Sequence, residues 1–532
     1  MEIPPLMAEQ YKQAKELIEK SSDIKIYSHI DCDGICSGAI LSTILDRLNK
    51  PHEIDFVNLD VLDNIELNHE LTIFSDLGSG QLIDTKATAD NNILILDHHP
   101  PLRDLDYRDG REYTYLEINP NHHGIDGSFY VCGGGLCYFL AKEFGYTDLS
   151  WIGVLSSIGD MQNTRTGEFE GLNKIIQNDA VEEGYLDLIK GDLNIYGRNS
   201  RELFIALSYF SDVKLPITNN QNESKALLDE LGIDSTLKRV TPEEQDILEK
   251  IGILCEAGKD YTLTREDRAI LNKELESIEN AQTLPIYMSK DEFLVLFQIQ
   301  KRIKRKRLSD LTTEEKGRLY NALNRMIINE VPKRYYKHIS KILIGDSYTF
   351  LMEDYGFLRD GSEFSTAMNA CGRNHEEKIA MEVLKGNRDW ALDELEVISR
   401  KHRYNLATSM EKVTADDRIV ELENLQYFDG TGIKPEIVGT ITGMILGYCN
   451  WRKPIIGFTQ IEDTDGLKVS LRCSRFLTYD GVHFGNIIRE VSREVGGSGG
   501  GHAMACGAYI PLDKKEEFIQ KFNISLSENI SI

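Results

Sequence analysis

The tripeptide Asp97-His98-His99 follows a four-residue apolar run, Ile93 to Leu96. Successive side chains of a regular strand point to opposite faces, so two adjacent imidazoles cannot both aim at one centre from it. At an irregular strand end one imidazole can hold a metal while the other faces a substrate. The preceding carboxylate can then orient an imidazole. A second set, His29-x-Asp31-x-Asp33-Gly34, follows the strand-like run Ile24 to Ser28. The alternate spacing turns three side chains the same way, and Gly34 permits a sharp turn into a helix. One imidazole and two carboxylates form a mixed nitrogen and oxygen donor set, suited to Mn²⁺ or Mg²⁺ more than to a thiolate-bound metal. A helix N-cap aspartate beside an unrelated histidine is the competing reading of this segment. Asp76 in FSDLG and Asp160 in SSIGDMQN each add a carboxylate at the end of an apolar run. The four segments together hold the inventory of a two-metal site. Such a site activates a water and stabilises the leaving oxygen of an in-line phosphoryl displacement, with Asp76 a candidate bridge.

These residues need a scaffold that brings four chain positions together. Residues 8–20 read as a lead-in amphipathic helix, 24–28 as a strand and 35–49 as a helix. The runs 71–75 and 93–96 read as buried strands, and 135–145 as a helix closed by Gly145. The run 151–158 is continuously apolar apart from its serines and leads to Gly159-Asp160. Apolar strands alternating with helices predict a parallel α/β sheet, and ligands of such sheets gather at the carboxyl ends of the strands. From about 200 to 350 strand signals thin out and polar helical stretches take over. A connecting helix is expected over 386–415. A second α/β pattern begins near 416, with an apolar strand at 454–460, the segment KVSLRCSR at 468–475 and the glycine run from Gly496 to Gly501.

At 532 residues, about three domains are expected. The charge balance of 60 basic against 86 acidic residues gives −26, which excludes a wholesale basic coat for duplex DNA. A local exception lies between Lys301 and Lys341, with 13 Lys and Arg against 4 acids, opening on KRIKRKR and accompanied by Tyr320, Tyr335 and Tyr336. The nine cysteines form no CxxC pair, so structural zinc and a disulfide framework are disfavoured and buried thiols expected. The N-terminal residues do not read as a signal peptide, and no apolar run is long enough to cross a bilayer. The expectation is a soluble cytoplasmic protein with no membrane contact.

HIDCDG, Asp76, the literal Asp-His-His and Asp160 resemble the four motifs of the DHH phosphoesterase superfamily. The segment MNACGR (368–373) is similar to the NAxGR element of RecJ-type exonucleases, and the GGGH run with KVSLRCSR resembles the DHH-associated domain that follows. The whole looks like an archaeal RecJ-like single-strand nuclease. The resemblance implies a DHH domain with the metal site over 1–200, an insert with the basic segment over 201–360, the NAxGR element and connecting helix over 361–415, and a substrate-binding DHH-associated domain over 416–532. It implies two divalent metals, Mn²⁺ favoured over Mg²⁺. Asp33, Asp76, His98 and Asp160 would hold one, and His29, Asp31 and Asp76 the other. His99 would contact the scissile phosphate and Asp97 orient a histidine. Arg373, Arg472, Ser474 and the amides of Gly499, Gly500 and Gly501 would grip the strand, with His502 close by. The family's arginine–serine element here reads Arg472-Cys473-Ser474, which adds a thiol with no catalytic role expected. The residues alone leave the glycine run open between a phosphate cradle and a flexible loop.

Three functions compete. The first is a metal-dependent exonuclease releasing mononucleotides from single-stranded DNA or RNA, with a nucleoid-associated role in DNA replication or repair. The second is a phosphodiesterase for cyclic dinucleotides or short oligonucleotides. The third is a replication scaffold binding the GINS complex, a role compatible with activity. The basic insert is a solvated helix face, a nucleic-acid track or a docking surface for an acidic partner.

Overall fold

A computed structural model describes all residues except 89, 106–112, 235, 238–303, 354–355, 416–417, 462–463, 480 and 530–532. Five parallel strands form the first sheet: β1 (Ile24–His29), β2 (His52–Val57), β3 (Leu71–Ser75), β4 (Asn92–Leu96) and β5 (Tyr115–Ile118). They lie in the order β2-β1-β3-β4-β5. The chain therefore moves from β1 to β2 on one side and then crosses back past β1 to place β3 on the other. This creates a switch point between β1 and β3, where loops diverge and open a crevice at the carboxyl edge.

Both faces of the sheet are covered, so its strands are apolar on both sides. On one face Ile26, Ile73, Leu94 and Leu96 pack with α1 (Pro5–Lys20), α2 (Cys32–Arg47), α3 (Gly133–Glu143) and α4 (Ser150–Gly159). On the other, Phe74, Ile93 and Ile95 meet Leu62, Leu67 and Ile83. The run 151–158 is helix α4: it is buried all round between α2, α3 and α5 (Asn173–Glu182), and so shows no polar face.

The middle of the chain has its own core. Leu203, Leu207, Leu228, Leu319, Leu323 and Ile342 cluster there, and Trp451 and Phe476 of the C-terminal part join them. An antiparallel ribbon ties this unit back to the first domain: Leu186–Leu193 pairs with Ile344–Phe350, two segments far apart in sequence. The Gly361–Gly372 helix and the 26-residue helix Trp390–Ala415 then lead to the second sheet. Its six strands run Ile419–Glu421, Gln426–Asp429, Ile455–Gln460, Gly466–Arg472, Ala505–Pro511 and Ser498–Gly501 across the sheet. The α/β fold expected from sequence, a parallel sheet joined by a helix to a smaller α/β domain, is the fold observed.

Eight described cysteines are buried and unpaired. No described helix is long and apolar enough to cross a membrane.

Candidate active site

His29 closes β1, Asp76 follows β3 and Asp97 follows β4, so all three stand at the carboxyl edge beside the switch point. The backbone is shaped to admit them. Asp76 is left-handed, with φ +59°, a conformation that is uncommon for a residue other than glycine and clusters at functional sites. Gly133 makes room for it, since a Cβ there would come 2.7 Å from Asp76 Cβ. Gly34 is equally constrained, because a Cβ would lie 2.2 Å from the His29 carbonyl oxygen.

Asp33 is 2% exposed and sits at the N-terminus of α3. It accepts hydrogen bonds from the Gly133 and Gly134 amides at 2.8 and 2.7 Å, and from the Ser156 hydroxyl. Those amides are orphan donors of the first helical turn, and the helix dipole adds to their attraction for a carboxylate. Asp31 caps α2 by accepting from the Gly34 amide at 3.1 Å. The N-cap reading of this segment is met by one oxygen, while the other lies 3.1 Å from His29 Nδ1 and is not used by the cap.

His98 faces a carbonyl on one side and acids on the other. Its Nδ1 lies 2.8 Å from the Gly127 carbonyl oxygen. As donor to that carbonyl, Nδ1 leaves Nε2 toward Asp76 Oδ1 at 3.2 Å and Asp33 Oδ2 at 3.6 Å. This is the second partner that fixes the ring of a metal-binding histidine. Asp160, at the end of α4, lies 3.8 Å from His98 Nδ1 and accepts from Gln162 Nε2 at 2.8 Å. Gln162 also donates to the Gly127 carbonyl at 2.8 Å. Asp97 is buried, accepting from the Ser79 amide at 2.9 Å and contacting His99 Nδ1 at 2.8 Å. His99 is half exposed.

Three groups of potential ligand atoms result: His29, Asp31 and Asp76; Asp33, His98 and Asp160; and Asp76, Asp97, His98 and His99. Asp76 belongs to two of them. Its Oδ1 and the Nδ1 of His29 are buried, and their contacts, to His98 Nε2 at 3.2 Å and to Asp31 Oδ2 at 3.1 Å, are ion-pair contacts without hydrogen-bond geometry, so each leaves room for a further partner. A divalent cation fits this donor set of imidazoles and carboxylates.

The electrostatics agree. Burial disfavours charge on His29 and His98, yet the surrounding carboxylates overcome it and hold both well above the usual histidine range. Asp33 is pushed well above the usual carboxylate range, by burial first and then by the charge of Asp76. Asp97 and Asp160 stay low despite burial, because His99 and His98 respectively face them. Protons thus neutralise a packed acid cluster, and a metal would release them on binding.

The second domain reaches this cluster through His502, whose Nε2 lies 3.6 Å from Asp160 Oδ1. Arg373, at the end of the Gly361–Gly372 helix, donates to Thr440 Oγ1 at 2.6 Å and to the Glu436 carbonyl at 3.2 Å. Burial and the neighbouring Arg472 lower its guanidinium to about 10. Burial also lowers Arg472, whose Nη1 donates to the Leu471 carbonyl at 2.8 Å. Two adjacent guanidiniums that make these neutral contacts offer a site for an anion. The glycines Gly499, Gly500 and Gly501 belong to the Ser498–Gly501 strand, paired with Ala505–Pro511 on one side. They form an ordered sheet edge, not a flexible loop, and the outward amides of an edge strand lack sheet partners.

Ser474 is not brought to the cleft. It is 1% exposed and donates to the Asp212 carbonyl at 2.7 Å while capping the short helix that follows. The basic segment also departs from expectation. Lys306 pairs with Glu315 at 2.5 Å and Arg307 donates to the Asn199 carbonyl at 2.6 Å, so these two bases hold the middle unit together. Tyr335 lies in the core of that unit. Residues 301–303 and the side chains of Lys304 and Arg305 fall outside the described residues.

Sequence reasoning overlooked the residues that hold the ligands in place. Asn369 accepts from the Cys32 amide at 3.0 Å, tying MNACGR to the HIDCDG loop. Asn119 and Asn121 donate to the carbonyls of His99 and His98 at 2.8 and 2.9 Å. Asn119 directly follows an apolar strand, as Asp76 and Asp97 do, and that shared position is the signal that marks it.

Residues 23–154 match the DHH family, N-terminal domain, and residues 422–528 match the DHHA1 domain. An uncharacterized protein of Methanocaldococcus jannaschii is 28% identical over 515 residues, covering 95% of this chain and 94% of that protein. Among solved structures, CDC45 from Entamoeba histolytica aligns over 98% of this chain and 99% of its own, with TM-score 0.55 and 12% identity. RecJ in complex with Mn²⁺ from Thermus thermophilus aligns over 99% of this chain, which spans 56% of the RecJ chain, with TM-score 0.48 and 13% identity. The chain therefore carries a DHH family N-terminal domain, with the Asp-His-His segment at its strand ends, followed by a C-terminal DHHA1 domain.

Proposed function

We propose that the chain is a two-metal exonuclease hydrolysing phosphodiester bonds of single-stranded DNA or RNA, of the RecJ-like type. The observation that carries this reading is the convergence of His29, Asp31, Asp33, Asp76, His98 and Asp160 around a shared Asp76, with the Arg373 and Arg472 pair near enough for Asp31 to act on Arg373. Asp33, Asp76, His98 and Asp160 would hold one divalent ion, and His29, Asp31 and Asp76 the other. When bound, the pair would activate a water and stabilise the leaving oxygen. Mn²⁺ is favoured over Mg²⁺, because Mg²⁺ prefers all-oxygen shells.

The chain's own groups have separate tasks. Asp97 holds His99 so that the imidazole faces the scissile phosphate. Arg373 and Arg472 neutralise and orient that phosphate or its neighbour, and guanidinium forks suit its geometry. The amides of Gly499 to Gly501 and the His502 ring carry the strand from the DHHA1 side. GINS binding in a replication setting is the second role proposed for the same chain.

The test is Mn²⁺-dependent digestion of a single-stranded 20-mer, as DNA and as RNA, labelled at either end, beside a dinucleotide. Stepwise mononucleotide release from the 20-mer is expected, and the labels report polarity. Cleavage of the dinucleotide alone would replace this reading with a small-substrate phosphodiesterase. Bound metal without cleavage of any substrate would replace it with a binding role.

A further inference from the structure

Behind the two cleft arginines lies a second cavity of about 640 Å³, a volume that suits a small organic ligand. The Gly361–Gly372, Trp390–Ala415 and Pro435–Ile445 helices wall it on one side, and residues 196–219 of the middle unit on the other. It adjoins the cleft directly. Thr440 lines it and also accepts the hydrogen bond of Arg373. Gly443, another wall residue, abuts Arg472: a Cβ there would lie 3.8 Å from Arg472 Cγ.

Its lining is chemically specific. Tyr196, Tyr209 and Tyr448 are 37%, 43% and 43% exposed at its rim. Arg201 lies between two of them, with Cζ 5.6 Å from the Tyr196 ring centre and 4.7 Å from that of Tyr209. Deeper in, Ser399 and His402 are 4% and 5% exposed, and Ser399 Oγ and His402 Nδ1 make no hydrogen bond. Buried polar atoms left without partners are costly, and a ligand that supplies the missing donors and acceptors recovers that cost. Burial first, then the positive field of Arg373, depresses the His402 imidazole to about 4. It is therefore neutral at neutral pH and carries one donor and one acceptor nitrogen.

A flat ring with polar edge atoms meets all of these features. Tyrosine faces and an arginine plane stack on it, and a hydroxyl and an imidazole read its edge. We propose that this cavity is a nucleobase pocket, which takes the base of a nucleotide whose phosphate is held by Arg373 and Arg472. The ligand class rests on the phosphodiester reading of the adjoining cleft, while the pocket stands on its own residues. Such a pocket would favour strands carrying a base at one fixed distance from the scissile bond.

The test uses the full chain without metal, so that no substrate is consumed. Adenosine, uridine and AMP are titrated by ligand-observed NMR. Two variants are compared: Ala407→Trp, which fills the cavity from an exposed wall position, and Ser399→Ala, which removes one unpartnered hydroxyl. Saturable nucleoside binding is expected, weakened at least about tenfold by Ala407→Trp and about fivefold by Ser399→Ala, the loss of one hydrogen bond. Ser399→Ala should leave unliganded stability unchanged or higher, which separates a lost contact from a damaged fold. No nucleoside binding at millimolar concentration, or binding indifferent to both variants, would overturn the pocket. A parallel end-labelled 20-mer digestion keeps the two readings apart. Cleavage without nucleoside binding sinks the pocket alone, and nucleoside binding lost in Ala407→Trp without any cleavage sinks the nuclease reading alone.

Discussion

At the scale of single residues, Asp76 carries the most weight. It is buried, left-handed and shared between two ligand groups of a crowded acid cluster. Each feature is unfavourable for stability and favourable for cation binding. Asp76→Gly should therefore have opposite effects on fold and function. Glycine accepts φ +59° freely, which stabilises the metal-free protein by about 1 kcal/mol. Loss of the shared ligand should abolish Mn²⁺-dependent hydrolysis. Urea unfolding in chelator and the 20-mer assay measure the two sides, and a glycine variant that keeps turnover would remove Asp76 from the two-metal assignment. In sequence, Asp76 by itself is a weak signal, as Asp160 is, because an aspartate at the end of an element is common. What sets it apart is the backbone conformation and the Gly133 contact, and both come from tertiary packing.

At the scale of elements, the Gly361–Gly372 helix joins the two chemistries. Its Asn369 anchors the HIDCDG loop, Arg373 ends it at the cleft, and its N-terminal turn carries Glu363. Burial first, and then the charge of Asp360, raises Glu363 from 4.5 to about 7. The folded protein thus binds a proton that the unfolded chain has released between these values. Stability from this group is complete below pH 4.5 and is lost as pH rises through about 7. The slope is at most about 1.4 kcal/mol per pH unit. His402 acts in the opposite sense: lowered from 6.5 to about 4, it makes the fold lose stability as pH falls through that window. The two partly cancel between pH 4.5 and 6.5, so the wild-type curve alone is ambiguous. Glu363→Gln should remove only the first contribution, making stability rise more steeply with pH up to 7 than in wild type. Parallel pH dependences by urea unfolding would show that Glu363 titrates normally. Elements whose apolar pattern is local were legible in the sequence. Strands 71–75 and 93–96 and helices 8–20 and 386–415 lie within a few residues of their expected bounds. The ribbon of Leu186–Leu193 with Ile344–Phe350 was not, because its partners are far apart and half of its face is exposed.

At the scale of the molecule, three packed units frame one cleft in a chain of charge −26. The C-terminal domain is pinned to the middle unit by Arg475, which donates to Asp212 at 2.8 and 2.7 Å while Phe476 enters the middle core. It meets the first domain at His502 and Asp160. The order of the DHH and DHHA1 parts was legible, because each carries its own motif. The pinning was not, since Ser474 looks like a strand-binding group until Asp212 is placed beside it. The same packing limits which bases are left to hold a strand. Lys306 and Arg307 are used internally, whereas Arg373 and Arg472 line the cleft with no carboxylate bonded to either among the described residues. Strand affinity should therefore draw its salt dependence from the cleft arginines more than from the basic segment. For single strands, each neutralised phosphate contributes about 0.7 to the slope of log K against log salt. Arg373→Ala or Arg472→Ala should each flatten that slope by about 0.7. Lys306→Ala should instead lower stability with little change in slope, since it leaves Glu315 unpaired in a partly buried setting. Anisotropy titrations of a labelled strand across a salt series decide between the two sites. A slope unchanged by the cleft variants and reduced by Lys306→Ala would put the strand on the basic segment, with the cleft arginines holding only the terminal phosphate.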